Sequence, residues 1–117
     1  MTHLFLDDER SPSDVYWVKL EDVLWAVVRN YDEFVHHIQT QGMPSTISFD
    51  HDLGQEKTGM DCAHFVVSYC LENNIKAPRF GVHSKNVVGK ANIEGLLNNF
   101  TNHQLRDLEL PTQPKIK

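Results

Sequence analysis

Apolar and polar positions follow two different rhythms along this chain. HLFLD (3–7) is a short continuous apolar run of the kind that forms a buried strand, and VLWAVV (23–28) is a second. Between them lies an irregular stretch, SPSDVYW, with one proline and two serines. From Tyr31 the rhythm changes. Tyr31, Phe34, Val35 and Ile38 fall at i, i+3, i+4 and i+7, one apolar face of a helix over 31–41, and Gly42 and Pro44 end it. TISFD (46–50) predicts a third strand. Thr58 then caps a helix over 59–73 whose inward face is Cys62, Phe65, Val66, Tyr69 and Cys70. RFGVHS (79–84) reads as a fourth strand, and a last helix over 88–101 turns Ile93, Leu96, Leu97 and Phe100 inward.

Strands without internal polar alternation, separated by amphipathic helices, predict a single-domain α/β fold: a parallel sheet with helices on both faces. The first helix is degenerate, because 10–22 has no helical period. A fifth strand has only a weak candidate, LRDLEL (105–110). The domain is expected to span 1–110, followed by a loose polar tail over 111–117 containing two prolines.

Composition narrows the function classes. The chain has 117 residues, enough for one core without staples. A net charge of -5 argues against an extended nucleic-acid surface, which needs a basic face, but leaves room for a small phosphorylated ligand at a local positive site. Cys62 and Cys70 lie eight residues apart on one helix, so their Cα atoms are roughly 12 Å apart, too far for a disulfide. They read as reduced core residues of a cytoplasmic protein. The N-terminus lacks the layout of a signal peptide, and no apolar run reaches the length of a membrane span.

The chemistry gathers at strand ends. Strand one ends in Asp7-Asp8-Glu9-Arg10, strand three in Asp50-His51-Asp52, and strand four in His83-Ser84-Lys85-Asn86. In an open parallel sheet, ligands bind in the crevice at the carboxyl ends of the strands. With flavodoxin-like order 2-1-3-4, these three strands are neighbours about 4.8 Å apart, so the eleven residues share one rim. Two carboxylates 4 Å apart repel by about 4 kcal/mol at an effective dielectric near 20. Asp7, Asp8, Asp50 and Asp52 in one cleft therefore call for protons, for basic partners such as Arg10, Lys85 and Lys90, or for a divalent cation such as Mg or Mn. His51 and His83, each at the end of one of two adjacent strands, are expected to face each other across a small ligand as general base and general acid, with Asp52 orienting His51. The other five histidines carry no such expectation. The helix starts at Thr58-Gly59-Met60 and Val88-Gly89-Lys90 read singly as ordinary caps; beside an acid/base cluster they suggest N–H groups open to a phosphate. Tyr16 and Trp17 either stack on a base or merely pack.

LFLDDERSP, SFDHDLG, TGMD and VHSKNVVGKANI, in this order, resemble the cyclic-phosphate processing receiver-like domains, a divergent branch of the response-regulator receiver fold, over residues 3–100. In receivers an acidic pair after strand one and an Asp after strand three bind Mg²⁺ and accept a phosphoryl group, with a Ser or Thr after strand four; Asp7, Asp8, Asp50 and Ser84 match those places. The receiver lysine after a fifth strand has no counterpart, and two histidines and Asp52 are added. The resemblance implies a phosphoesterase that opens a cyclic phosphate on a small nucleotide or an RNA end. Its expected catalytic set is His51, His83, Asp50 and Asp52; its metal ligands are Asp7, Asp8 and Asp50; Arg10, Ser84, Lys85, Asn86, Gly89 and Lys90 bind substrate. A non-catalytic nucleotide-sequestering module and a phosphoacceptor signalling receiver are the alternatives.

Overall fold

The computed structural model describes residues 2–109. Four strands, β1 (His3–Leu6), β2 (Ala26–Val28), β3 (Thr46–Phe49) and β4 (Arg79–Val82), form one parallel sheet in the order β2-β1-β3-β4. The helices are α1 (Tyr31–Gln41), α2 (Gly59–Asn73) and α3 (Val87–Glu109), and a 3₁₀ turn at Pro12–Asp14 is all that is helical between β1 and β2. The order matches the flavodoxin-like arrangement that the strand pattern predicts.

Local signals set the helix ends. The Asn30 side chain accepts the Glu33 N–H at α1, and Gly42, at φ +88°, ends that helix. Thr58 and Asp61 exchange hydrogen bonds as a capping box at α2. The α3 start is capped by Asn86, whose Oδ1 accepts the Gly89 N–H at 2.8 Å. This helix runs well past the predicted end at 101. Its buried stripe ends at Phe100, but no Gly or Pro follows before Pro111, and the Gln104 side chain ties the extension to Ala77 N–H and Ile75 C=O. Leu105–Glu109, within the weak candidate for a fifth strand, are therefore helical, and Leu110 and the polar tail lie outside the described residues. At the other end of the chain, β2 is shorter than predicted. Val23 and Leu24 are exposed, and only Ala26–Val28 pair with Leu4–Leu6.

The two faces of the sheet are covered differently. Leu4, Leu6, Ile47, Phe49 and Val82 point to one face, where they pack with Phe34 and Ile38 of α1, Cys62 and Val66 of α2, and Ile93 and Leu97 of α3. Full burial of such side chains contributes about 1.5–3 kcal/mol each. Burial also pushes both cysteine thiols up, Cys70 to about 11, which keeps them protonated core groups. The β1-to-β2 connection runs in the opposite direction along the sheet, so a right-handed crossover places it on the second face. There Trp25 meets the His3 and Phe5 rings edge-on, and Trp17 donates its indole N–H to the His83 carbonyl at 2.7 Å. The degenerate first helix is thus replaced by a tryptophan-anchored strap.

Candidate active site

Register explains the convergence at the rim. Leu6, Phe49 and Val82 are cross-strand partners, so Asp7, Asp50 and His83 each stand one step beyond that row. Their backbone N–H groups continue the ladder, to Val28, Leu6 and Phe49 carbonyls respectively. By the alternation of side chains along a strand, all three emerge toward the second face, with Phe5 and Ser48.

Asp7 is the centre of this group and is fully buried. Its Oδ1 accepts the backbone N–H groups of Glu9 (2.9 Å) and Arg10 (2.8 Å), and its Oδ2 accepts Arg10 Nε (2.8 Å) and His83 Nε2 (3.0 Å). Burial alone would raise its pKa; these donors outweigh burial and hold the carboxyl below the usual range. An ionised Asp7 can only accept, so the His83 proton sits on Nε2. Nδ1 of the neutral ring then accepts the Ser48 hydroxyl at 2.8 Å. The ring is fully buried and stacked on Phe5, 4.4 Å between centroids. Burial, against the pull of Asp7, keeps the imidazole below its ordinary pKa.

Asp50, also buried, has the opposite character. Burial and the neighbouring Asp7 charge raise it to about 6, although Oδ1 accepts the His51 N–H (2.8 Å) and Arg10 Nη2 stands 3.5 Å from Oδ2. Arg10 thus spans both buried carboxylates, with its guanidinium 4.9 Å from the Trp17 ring centroid. On the exposed side His51 Nδ1 bonds Asp52 Oδ1 at 2.9 Å, and Asn86 Nδ2 donates to Asp52 Oδ2 at 3.1 Å. The bonds from His51 and then Asn86 hold Asp52 below the ordinary carboxylate range. With Nδ1–H committed to Asp52, Nε2 is the basic nitrogen of a neutral His51 ring.

A cleft of about 400 Å³ opens over this arrangement. Its lining comes from the segments after three neighbouring strands: Asp7, Asp8, Glu9 and Arg10 after β1, Asp50, Asp52 and Gly54 after β3, and Ser84, Lys85 and Asn86 after β4. A larger groove, about 630 Å³, lies between the strap and β4 near Arg79 and Gly81, and none of the rim carboxylates lines it. The smaller cleft holds the chemistry.

Several expected placements differ. His51 and His83 do not face each other across the cleft: the His83 ring is sealed beneath the strap with both nitrogens bonded inside the protein. The N–H groups expected to be open to a phosphate are taken, Gly59 by the His51 carbonyl (2.7 Å), Gly89 by Asn86 Oδ1, and Lys90 by the Asn86 carbonyl (2.8 Å). Gly89 and Gly59 serve close packing instead. A Cβ at Gly89 would overlap the His51 ring, and one at Gly59 the Asp50 carbonyl. Gly89, Lys90, His51 and His83 lie outside the cleft lining, His51 reaching it through Asp52, whereas Arg10, Asp50, Asp52, Ser84, Lys85 and Asn86 are in it.

Two further residues, Ser48 and Arg29, hold the site and were not singled out from the sequence, and a third, Trp17, reads there only as stacking on a base or packing. Ser48 stands at the middle of β3 between Ile47 and Phe49, and that single polar position in a buried run was its only signal. Arg29 Nη1 donates to the carbonyls of Asp7 (3.0 Å) and Arg10 (2.7 Å), clamping the turn after β1. Trp17 caps the His83 carbonyl and is packed, which decides one half of the Tyr16–Trp17 question.

Asp7, Asp50 and His83 each offer a ligand atom within 4.8 Å of the others, a spacing at which a metal ion can be held. The donor set fits in part. Both Asp7 oxygens and both His83 nitrogens already have protein partners, and Arg10 supplies a resident positive charge between the carboxylates. Of the two buried carboxylates Asp50 has the fewer protein partners, and it lines the cleft, as Asp8 does.

A four-stranded parallel sheet in the order 2-1-3-4, with an acidic pair past β1 and an Asp past β3, defines a receiver-type α/β domain. Residues 2–99 match the family model described as the cyclic-phosphate processing receiver domain, and the chain belongs to that family. No curated protein and no solved structure matches the chain. Among the described residues no helix is long and apolar enough to cross a membrane.

Proposed function

We propose that this cleft hydrolyses a cyclic phosphodiester carried by a small nucleotide or an RNA end. The observation that supports this reading is the composition of the cleft: two cations, Arg10 and Lys85, and two neutral donors, Ser84 and Asn86, line it together with Asp52, and Asp52 in turn bonds His51 at its border. The cations and donors suit the non-bridging oxygens of a phosphate, whose charge grows as the ring opens. His51 Nε2 takes a proton from water as its oxygen bonds to phosphorus, and Asp52 and Asn86 hold the ring in that tautomer. The bond from phosphorus to a ribose oxygen breaks, and that oxygen takes a proton. Asp50, lifted to about 6, is protonated often enough near neutrality to give it. His83 has a positioning role, fixing Asp7 and through it Arg10.

A divalent cation, Mg or Mn, would be held by Asp50 and Asp8 with Asp7 behind them, and would supply charge neutralisation at the phosphate. It would also displace the Asp50 proton, so cation and acid are alternative devices. A phosphorus NMR time course on 2′,3′-cyclic nucleotides and cyclic-phosphate RNA ends, with Mg²⁺ or with EDTA, tests the reading. Conversion of the cyclic phosphate to a monoester, lost in His51→Ala, is the expected result. Ring opening that survives EDTA assigns the proton to Asp50. An intact ligand under every condition refutes hydrolysis and leaves a nucleotide-sequestering module.

A further inference from the structure

The strap between β1 and β2 presents one aromatic ring to solvent at the mouth of the cleft. Val15 is buried and Trp17 is held by its bond to the His83 carbonyl, so the chain is anchored on both sides of Tyr16. Tyr16 itself is 83% exposed. Its position relative to the charged groups is defined: Lys85 Nζ lies 5.8 Å from the Tyr16 ring centroid and 4.2 Å from that of Trp17. Arg10 lies against Trp17 as well, and the Trp17 ring meets Tyr16 edge-on at 5.1 Å. The two cations of the cleft are therefore continuous with an aromatic wall that ends in an open ring.

A single exposed aromatic is unremarkable on a protein surface. Here the anchored backbone on both sides and the contact with a cleft cation set Tyr16 apart. A phosphate between Arg10 and Lys85 leaves its organic substituent free to extend outward, and a planar base stacks on an aromatic face without needing a hydrogen-bond pattern. We infer that Tyr16 is the base-stacking platform of the cleft, so that the ligand is a nucleoside phosphate or RNA terminus rather than a phosphate lacking a base. This deepens the proposed function and rests on it.

The test compares adenosine 2′,3′-cyclic phosphate with ethylene phosphate, a cyclic phosphodiester without base or ribose. Both are titrated by NMR into full-length protein carrying His51→Ala, which keeps the ligands intact, alone and combined with Tyr16→Ala or Tyr16→Phe. Tyr16→Ala is expected to weaken the nucleoside ligand by about tenfold or more and to leave ethylene phosphate within about twofold, while Tyr16→Phe stays close to the parent. Unchanged nucleoside binding in Tyr16→Ala overturns the platform and leaves the phosphate cleft standing. Equal weakening of both ligands also overturns it, since Tyr16 would then only shape the cleft. Failure of the parent protein to bind either ligand overturns the reading of the cleft, and the platform with it.

Discussion

Replacing Asp50 by asparagine should make the metal-free protein more stable at neutral pH. Asp50 is 3% exposed and stands beside the ionised Asp7, and its pKa rises from 3.8 to about 6. The folded protein therefore holds this proton more tightly than the unfolded chain does. Between about pH 4 and 6 the unfolded state has lost the proton while the native state keeps it, so the Asp50 contribution falls as pH rises through that window and is constant above it. The rise amounts to about 3 kcal/mol of destabilisation at pH 7.5. Asparagine keeps the shape and the bond from His51 N–H but carries no charge. Urea denaturation in EDTA at pH 4, 5.5 and 7.5 reads the difference directly. Asp50→Asn should exceed the wild type by about 2–3 kcal/mol at pH 7.5, or about 10 °C in Tm, and by almost nothing at pH 4. A variant less stable than wild type at pH 7.5, or a gain independent of pH, would refute the argument; Arg10 would then compensate Asp50 fully.

Other substitutions separate the two histidines and probe the packing. His83→Ala removes a fully buried ring and the donor to Asp7, so it should cost about 3–5 kcal/mol by urea melt, whereas His51→Ala should stay within about 1 kcal/mol of wild type in the same assay. Gly89→Ala forces a Cβ into the His51 ring and should cost about 1–3 kcal/mol by urea melt; an unaltered midpoint would mean that the ring yields without consequence. If a cation does seat at Asp50, 10 mM Mg²⁺ should raise the wild-type Tm at pH 7.5 and leave Asp50→Asn unmoved; equal shifts in both would place the binding elsewhere.

The elements were readable where local chemistry and burial agree. α1 and α2 begin at Asn30 and Thr58 and present buried stripes along their length, so cap and period coincide. In α3 they part: the stripe stops at Phe100 while the helix continues, and a reading based on periodicity stops with the stripe. The rim was legible because strand ends in a parallel sheet must converge. Which side chains go under and which stay out was not taken from the sequence, although parity contains it. Asp7, Asp50 and His83 share the parity of Phe5, Ser48 and Gly81, and this sends them to the second face. What parity cannot show is the cover there. The strap has no period, and its contacts, Trp17 on the His83 carbonyl and Trp25 on the His3 and Phe5 rings, help turn that face into an interior, where His83 is a buried ring stacked on Phe5 instead of a surface acid.

The bond between Asp7 and His83 spans 76 positions of the chain. At synthesis rates of about 5–20 residues per second, roughly 4–15 s pass between the making of the carboxylate and the making of its partner. During that interval Asp7 has its local donors, Glu9 N–H, Arg10 N–H and Arg10 Nε, but lacks its fourth, and Phe5 lacks the ring that stacks on it, while the loop that brings both is long. The sheet is therefore expected to close late on the ribosome, in one step, when β4 emerges. A fragment ending before His83 would lose more than the end of one strand, because β1 would keep Phe5 without its stacked ring and Asp7 without its buried donor.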